Sequence, residues 1–173
     1  TADNGVRHAI LWDGSVLRDL GTLGGAIGQG NAINDGGQVA GHALTASNRY
    51  HAFLWDGTAL RDLGTLGGLA SFGWAINASG QVAGDSYVSG VSAQHAFTSD
   101  GAAMRDLGTL GGANSRGLAI NAVGQVVGWS DVLGTDVTHA YVWDGVVLHD
   151  LNDRILAGEP LQPFVTLLEA RAV

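Results

Sequence analysis

Apolar and polar positions alternate along this chain in short bursts separated by glycine, and the bursts recur. His51-Ala-Phe-Leu-Trp55 matches His8-Ala-Ile-Leu-Trp12, His95-Ala-Phe-Thr-Ser99 and His139-Ala-Tyr-Val-Trp143. Period-two placement of aromatic and branched side chains predicts a strand. Asp-Gly follows each burst (Asp13-Gly14, Asp56-Gly57, Asp100-Gly101, Asp144-Gly145), and this dipeptide supplies the positive φ of a tight hairpin turn. The return strand reads Leu17-Arg-Asp-Leu20, Leu60-Arg-Asp-Leu63, Met104-Arg-Asp-Leu107 and Leu148-His-Asp-Leu151. In three copies it runs into Gly-Thr-Leu-Gly-Gly, which should break or bulge the strand. A third strand ends on Ala32-Ile-Asn34, Ala75-Ile-Asn77 and Ala119-Ile-Asn121. After a glycine turn, a fourth follows as Gln38-Val-Ala-Gly41, Gln81-Val-Ala-Gly84 and Gln125-Val-Val-Gly128. No stretch carries a convincing helical period.

The spacing organises these strands. His to closing Gly is 33 positions in each complete copy, and the links to the next His are 10, 11 and 11 positions of unrelated sequence. The repeat of 43 to 44 residues falls within the range of about 40–45 for a four-stranded propeller blade. A four-stranded meander is marginal alone, and stacking like sheets face to face would cover both sides. The expectation is an all-β, β-propeller-like array, with units at 8–50, 51–94, 95–138 and a partial variant at 139–173. A trefoil-like or prism-like barrel is the alternative, made less apt by the fourth in-phase copy. That copy departs after Leu151: Asn152-Asp-Arg-Ile-Leu156 replaces Gly-Thr-Leu-Gly-Gly, both prolines follow, and Ala172-Val173 aligns with Ala119-Ile120. It reads as a section of a longer repeat protein.

Composition narrows the function. Net charge is −8 and all eight basic residues are Arg, which argues against nucleic acid and anionic membranes. Without Lys or Cys, Schiff-base, Walker-type and thiol chemistry are excluded. No run of about 18 apolar residues predicts a membrane span.

Taken together, His-Ala-Phe-x-Trp-Asp-Gly, Asp-Leu-Gly-Thr-Leu-Gly-Gly and Ala-Ile-Asn-x-x-Gly-Gln-Val-x-Gly resemble the HAF repeat family of predicted extracellular bacterial proteins, over essentially residues 8 to 173. The resemblance implies a secreted or surface protein and no enzymatic activity. Ser99, where the repeat has Trp, is the clearest departure in the first strand and suggests local repacking.

Candidate chemistry is sparse. The four recurrent histidines read as structural hydrogen-bonding groups, as do the Asp of Arg-Asp-Leu and the Asn of Ala-Ile-Asn. Gly-Thr-Leu-Gly-Gly lacks the Lys and helix that a phosphate cradle needs. Asp131 and Asp136 could ligate calcium but lack the dense acidic spacing of a calcium loop; no other cofactor is expected. The only glutamates, Glu159 and Glu169, lie in the irregular tail, and no Gly-x-Ser-x-Gly elbow occurs. Specificity in repeat folds sits in links that differ between copies. Those links hold Arg49, Tyr50, Tyr87, Trp129, Asp131 and Asp136, a set suited to a glycan or protein partner, the chain itself included.

Overall fold

The structure is a computed structural model describing residues 5–90, 92–135, 137–155 and 166–172. Its strands are β1 (Ala9–Trp12), β2 (Leu17–Gly21), β3 (Gly24–Ile33), β4 (Val39–Thr45), β5 (Tyr50–Trp55), β6 (Leu60–Asp62) and β7 (Gly67–Ile76). They continue with β8 (Val82–Val88), β9 (Gln94–Ser99), β10 (Met104–Gly108), β11 (Gly111–Ile120), β12 (Val126–Val132), β13 (Thr138–Trp143) and β14 (Leu148–Asp150). Three four-stranded antiparallel sheets result: A (β3-β4-β5-β6), B (β7-β8-β9-β10) and C (β11-β12-β13-β14), preceded by a two-stranded half-sheet, β1-β2. The described strands form a succession of sheets, with no closed barrel or ring among them. No helix among the described residues is long and apolar enough to cross a membrane.

The sheet boundaries differ from those expected. Units 8–50, 51–94 and 95–138 are each split, because every sheet joins the second half of one copy to the first half of the next. Gly-Thr-Leu-Gly-Gly is responsible. Gly64 and Gly67 take φ of +72° and +92°, a backbone that side-chain-bearing residues resist. Thr65 Oγ1 accepts the Gly67 amide at 3.2 Å and donates to Gly68 O at 3.1 Å. The chain leaves one sheet there and starts the next. Leu60 consequently packs toward the half-sheet while Leu66 packs between A and B, although their even spacing in a continuous strand would put them on one face.

The supposedly free links are also shorter than expected. Beyond the closing glycine, β4 runs on to Thr45, pairing His42 with Ala52 and Leu44 with Tyr50. Corresponding extensions carry β8 to Val88 and β12 to Val132. Only the hairpin tips between these strands and the next are irregular.

Alternation along the central strands makes three interlayer cores. Phe53 and Trp55 face the half-sheet with Ala9, Leu20 and Val39, whereas Ala52 and Leu54 face sheet B with Ala40, Val82 and Phe97. Between B and C lie Ala83, Ala96, Leu107, Val126, Tyr141 and Trp143. Phe53, Phe97 and Tyr141 occupy one repeat position and are all fully buried, each worth about 2–3 kcal/mol.

The sheets approach closely because the contact is lined with Gly, Ala and Ser. A Cβ on Gly73 would lie 2.9 Å from Gly41 O, and one on Gly117 3.2 Å from Gly84 O. The fully buried Ser71 accepts the Ala52 amide and donates to Gly64 O; Ser115 does the same for Ala96 and Gly108. Ser99 is buried too, its Oγ accepting the Gly101 amide, so the small side chain closes the following turn.

Candidate functional site: a non-repeated aromatic and charged cluster

The recurrent polar side chains are engaged within the scaffold. His8, His51, His95 and His139 lie 2.6 to 2.9 Å through Nδ1 from Asp19, Asp62, Asp106 and Asp150. Each of those aspartates also accepts the amide two residues on, at Gly21, Gly64, Gly108 and Asn152, holding the chain as it leaves the sheet. Asp13, Asp56, Asp100 and Asp144 accept amides within the Asp-Gly turns. Their carboxyls sit below the usual carboxylate range. The leading causes are the backbone amides of Val16, Ala102 and Val147, and for Asp56 the Thr58 hydroxyl. Asparagines ladder across the sheets: Asn34 Nδ2 donates to Asn77 O and Asn77 Nδ2 to Asn121 O, both at 2.9 Å. Among the described residues no group of three or more His, Asp or Glu side chains is arranged to hold a metal ion.

The chemistry that differs between copies is gathered elsewhere. On the first two strands of each sheet, one cross-strand pair changes from copy to copy: Gln29 with His42, Phe72 with Asp85, Arg116 with Trp129. Two residues beyond the first member stand Asn31, Trp74 and Leu118. Neighbouring sheets bring these side chains into contact. His42 meets Phe72 edge-on at 5.0 Å and Trp74 at 5.8 Å, while Phe72 stacks on Trp74 at 5.9 Å. Asn31 Nδ2 donates to Gly73 O at 2.7 Å. From sheet C, the Arg116 guanidinium sits between two indoles, 5.3 Å from Trp74 and 5.8 Å from Trp129, a geometry that favours the cation.

Asp85 lies at the centre. It is fully buried, accepts the Trp74 indole N–H on Oδ1, and has Arg116 Nε at 2.8 Å from the same oxygen. Among the described residues its Oδ2 has no hydrogen-bond partner. Burial raises its pKa above the ordinary 3.8, against the opposing pull of Trp74 and Arg116. The same burial, with the Asp85 charge as a lesser cause, pushes the Tyr141 phenol well above its ordinary value. Burial lowers His42, so the neutral imidazole is favoured among its aromatic neighbours.

The six link residues singled out from sequence scatter. Tyr50 opens β5 and packs against His42 and Phe72, at 5.5 and 5.8 Å. Trp129 lies in β12 over Arg116, so these two residues mark opposite ends of one cluster. Both belong to strands, not links, because the hairpins extend past the closing glycine. Tyr87 and Asp131 are likewise in β8 and β12. Tyr87 borders a separate cavity of 460 Å³ beside Gly68 and Leu69. Asp131 Oδ2 accepts the Asn114 backbone and side-chain amides at 3.0 and 2.7 Å, which occupies one oxygen of the candidate calcium ligand. Arg49 is exposed in the turn before β5. Asp136 lies outside the described residues.

Sequence reasoning passed over His42, Phe72, Trp74, Asp85 and Arg116. A signal was present: they occupy the few positions where copies disagree inside otherwise repeated strands, next to invariant glycines. No known protein family, curated protein or solved structure matches this chain.

Proposed function

We propose that this chain is an HAF-type repeat protein that works outside the bacterial cell as a non-catalytic binding or structural scaffold. The carrying observation is a division of labour. The recurrent His, Asp, Asn and Ser side chains are used in bonds that hold strands and sheets, whereas the copy-specific side chains converge across three sheets. An aromatic surface broken by one guanidinium suits recognition of a protein or a glycan, since rings give contact area at little entropic cost. A ring-like, propeller arrangement is supported by the placement of β3, β7 and β11, the first strands of successive sheets, beside one another. Such an arrangement would set the cluster near the axis.

The glycan reading draws on one specific feature, two indoles flanking Arg116, which fits a sugar ring bearing an acidic substituent. The test is a panel of immobilised glycans and extracellular matrix proteins probed with the parent protein, Trp129→Ala and Arg116→Gln. Loss of binding of tenfold or more in both variants, with unchanged circular dichroism, is expected. Variants that bind as the parent does would refute the assignment of this cluster, and a panel without any binder would refute the binding role.

A further inference from the structure

Beside the Asp-Gly turns one arrangement recurs, and the third copy departs from it. A basic residue on the return strand stands opposite an apolar one on the strand before: Arg18 opposite Leu11, Arg61 opposite Leu54, His149 opposite Val142. Each basic side chain is tied to its turn aspartate, Arg18 to Asp13 at 3.4 Å, Arg61 to Asp56 and His149 to Asp144 at 2.7 Å. In sheet B the pair is Arg105 opposite Thr98. Among the described residues the Arg105 guanidinium has no acidic partner, and it lies 4.9 Å over the Trp143 ring of sheet C.

These changes face one cavity. It measures 270 Å³, lies between sheets B and C, and is lined by Gln81, Thr98, Asp100, Ala103, Arg105 and Trp143. A cavity of 250 Å³ occupies the matching place between the half-sheet and sheet A, but there Leu11 forms the wall and Asp13 and Arg18 are paired. The space recurs, whereas the unspent polar groups belong to B–C. The Thr98 hydroxyl has no hydrogen-bond partner among the described residues. Asp100 uses Oδ1 for the Ala102 and Ala103 amides at 3.0 and 3.3 Å, and Oδ2 has no partner among the described residues. The same amides hold its carboxyl below the ordinary range, so it is an acceptor at neutral pH, while Arg105 can only donate.

We infer that this cavity binds a neutral sugar ring through two adjacent hydroxyls. One hydroxyl donates to Asp100 and its neighbour accepts from Arg105, with Thr98 Oγ1 able to do either. Ala103 and the uncovered edge of the Trp143 indole give the C–H face of the ring an apolar wall. A carboxylate ligand would be set against Asp100 and an ammonium against Arg105, so neither would gain the whole site. The volume is below the range of about 300–1,000 Å³ that holds drug-sized ligands, which suits a single ring. This site is separate from the cluster around Arg116: it uses β9 and β10 of sheet B with β13 of sheet C, and gives the scaffold a second point of contact.

The probes are methyl glucoside, methyl galactoside and methyl mannoside, with glucuronate, glucosamine and cyclohexanol beside them. Each is titrated into the intact 173-residue chain and followed by saturation-transfer NMR. At least one neutral glycoside should bind saturably, and cyclohexanol, which lacks the second hydroxyl, should not. Thr98→Leu, which restores the side chain found at Leu11 and Leu54, and Arg105→Ala should each weaken binding tenfold or more. Arg18→Ala, at the paired equivalent, should leave it unchanged. Absence of saturable binding by every neutral glycoside would overturn the proposal, as would full-strength binding by either variant at Thr98 or Arg105. Tighter binding of glucuronate or glucosamine than of every neutral glycoside would overturn it too, because one charged group would then dominate the site.

Discussion

The A–B and B–C interfaces share one frame and differ in what fills it. Both use a glycine-on-glycine approach, Gly73 on Gly41 and Gly117 on Gly84, and both use a buried serine and a link of the asparagine ladder. In that frame A–B places neutral rings: His42, with Phe72 and Trp74 beside it. B–C places a fully buried carboxylate, a guanidinium and a second indole. The frame fixes spacing, because backbone-to-backbone contact tolerates no added atoms. The filling is therefore free to vary in chemistry without moving the sheets. That separation is what makes a repeat array adaptable.

The harshest change falls within each sheet that carries the frame, at the second-strand glycines. A Cβ on Gly84 would fall 1.9 Å from Phe72 O, and one on Gly128 1.8 Å from Arg116 O. Gly84→Val should cost about 3 kcal/mol or more and leave little folded protein, as read by thermal melting. Gly90→Ala, in open space at a hairpin tip with φ of +80°, should cost about 1 kcal/mol. Comparable losses for the two would mean that the close approach of β7 and β9 to Gly84 within sheet B is not limiting.

The B–C filling is the next target. Arg116→Met strands the Asp85 carboxylate in the interior and should cost about 3–5 kcal/mol at neutral pH. Asp85→Asn in the same chain should restore much of it, and a double-mutant cycle by chemical denaturation measures the coupling. No counterpart is expected at A–B, where His42→Phe should be nearly neutral above the ordinary histidine range.

Acid titration sharpens the contrast further. A carboxyl raised in the folded state keeps its proton when the unfolded chain has already lost it. Its contribution from Asp85 is therefore best at or below the ordinary 3.8 and falls as pH rises toward the raised value. The turn aspartates Asp13, Asp56, Asp100 and Asp144 are lowered, so their contribution is full above the ordinary value of 3.8 and is lost as pH falls from there through the lowered values of the folded state. Overall stability should fall in acid, and the stability of Asp85→Asn relative to the parent should decline as pH falls toward the ordinary 3.8. Melting temperatures of the two between pH 7 and 2 check both slopes, the Asp85 slope above the ordinary 3.8 and the turn-aspartate slope below it; a constant gap would contradict the raised Asp85.

The smallest effects should come from the recurrent polar groups. Asn77→Ala removes the bonds to Asn121 O and Gln81 Oε1 and should cost about 1–2 kcal/mol. His51→Ala removes a partly exposed pair with Asp62 and should cost under about 1 kcal/mol.

Much of the strand inventory was legible beforehand, for local reasons. Asp-Gly and Asn-x-x-Gly turns declare hairpins within a few residues, and period-two alternation declares the strands beside them. The partition into sheets was not legible. The hairpin between Thr45 and Tyr50 carries no repeated signature, so the sequence offered no reason to join it in preference to the crossover at Gly-Thr-Leu-Gly-Gly. Half of the cluster was hidden for a related cause. Tyr50 and Trp129 stood out as aromatic residues in unrepeated links, whereas Asp85 and Arg116 looked like ordinary strand positions 31 residues apart.

By itself, then, the order of residues determined the repeat length, the turns and which polar groups brace them, because each depends on neighbours a few positions away. Tertiary structure alone decided which halves of adjacent copies share a sheet and that His42, Trp74, Asp85, Arg116 and Trp129 meet. Those outcomes depend on how closely one sheet can approach the next, a distance set by glycines on different strands and visible only once the strands are stacked.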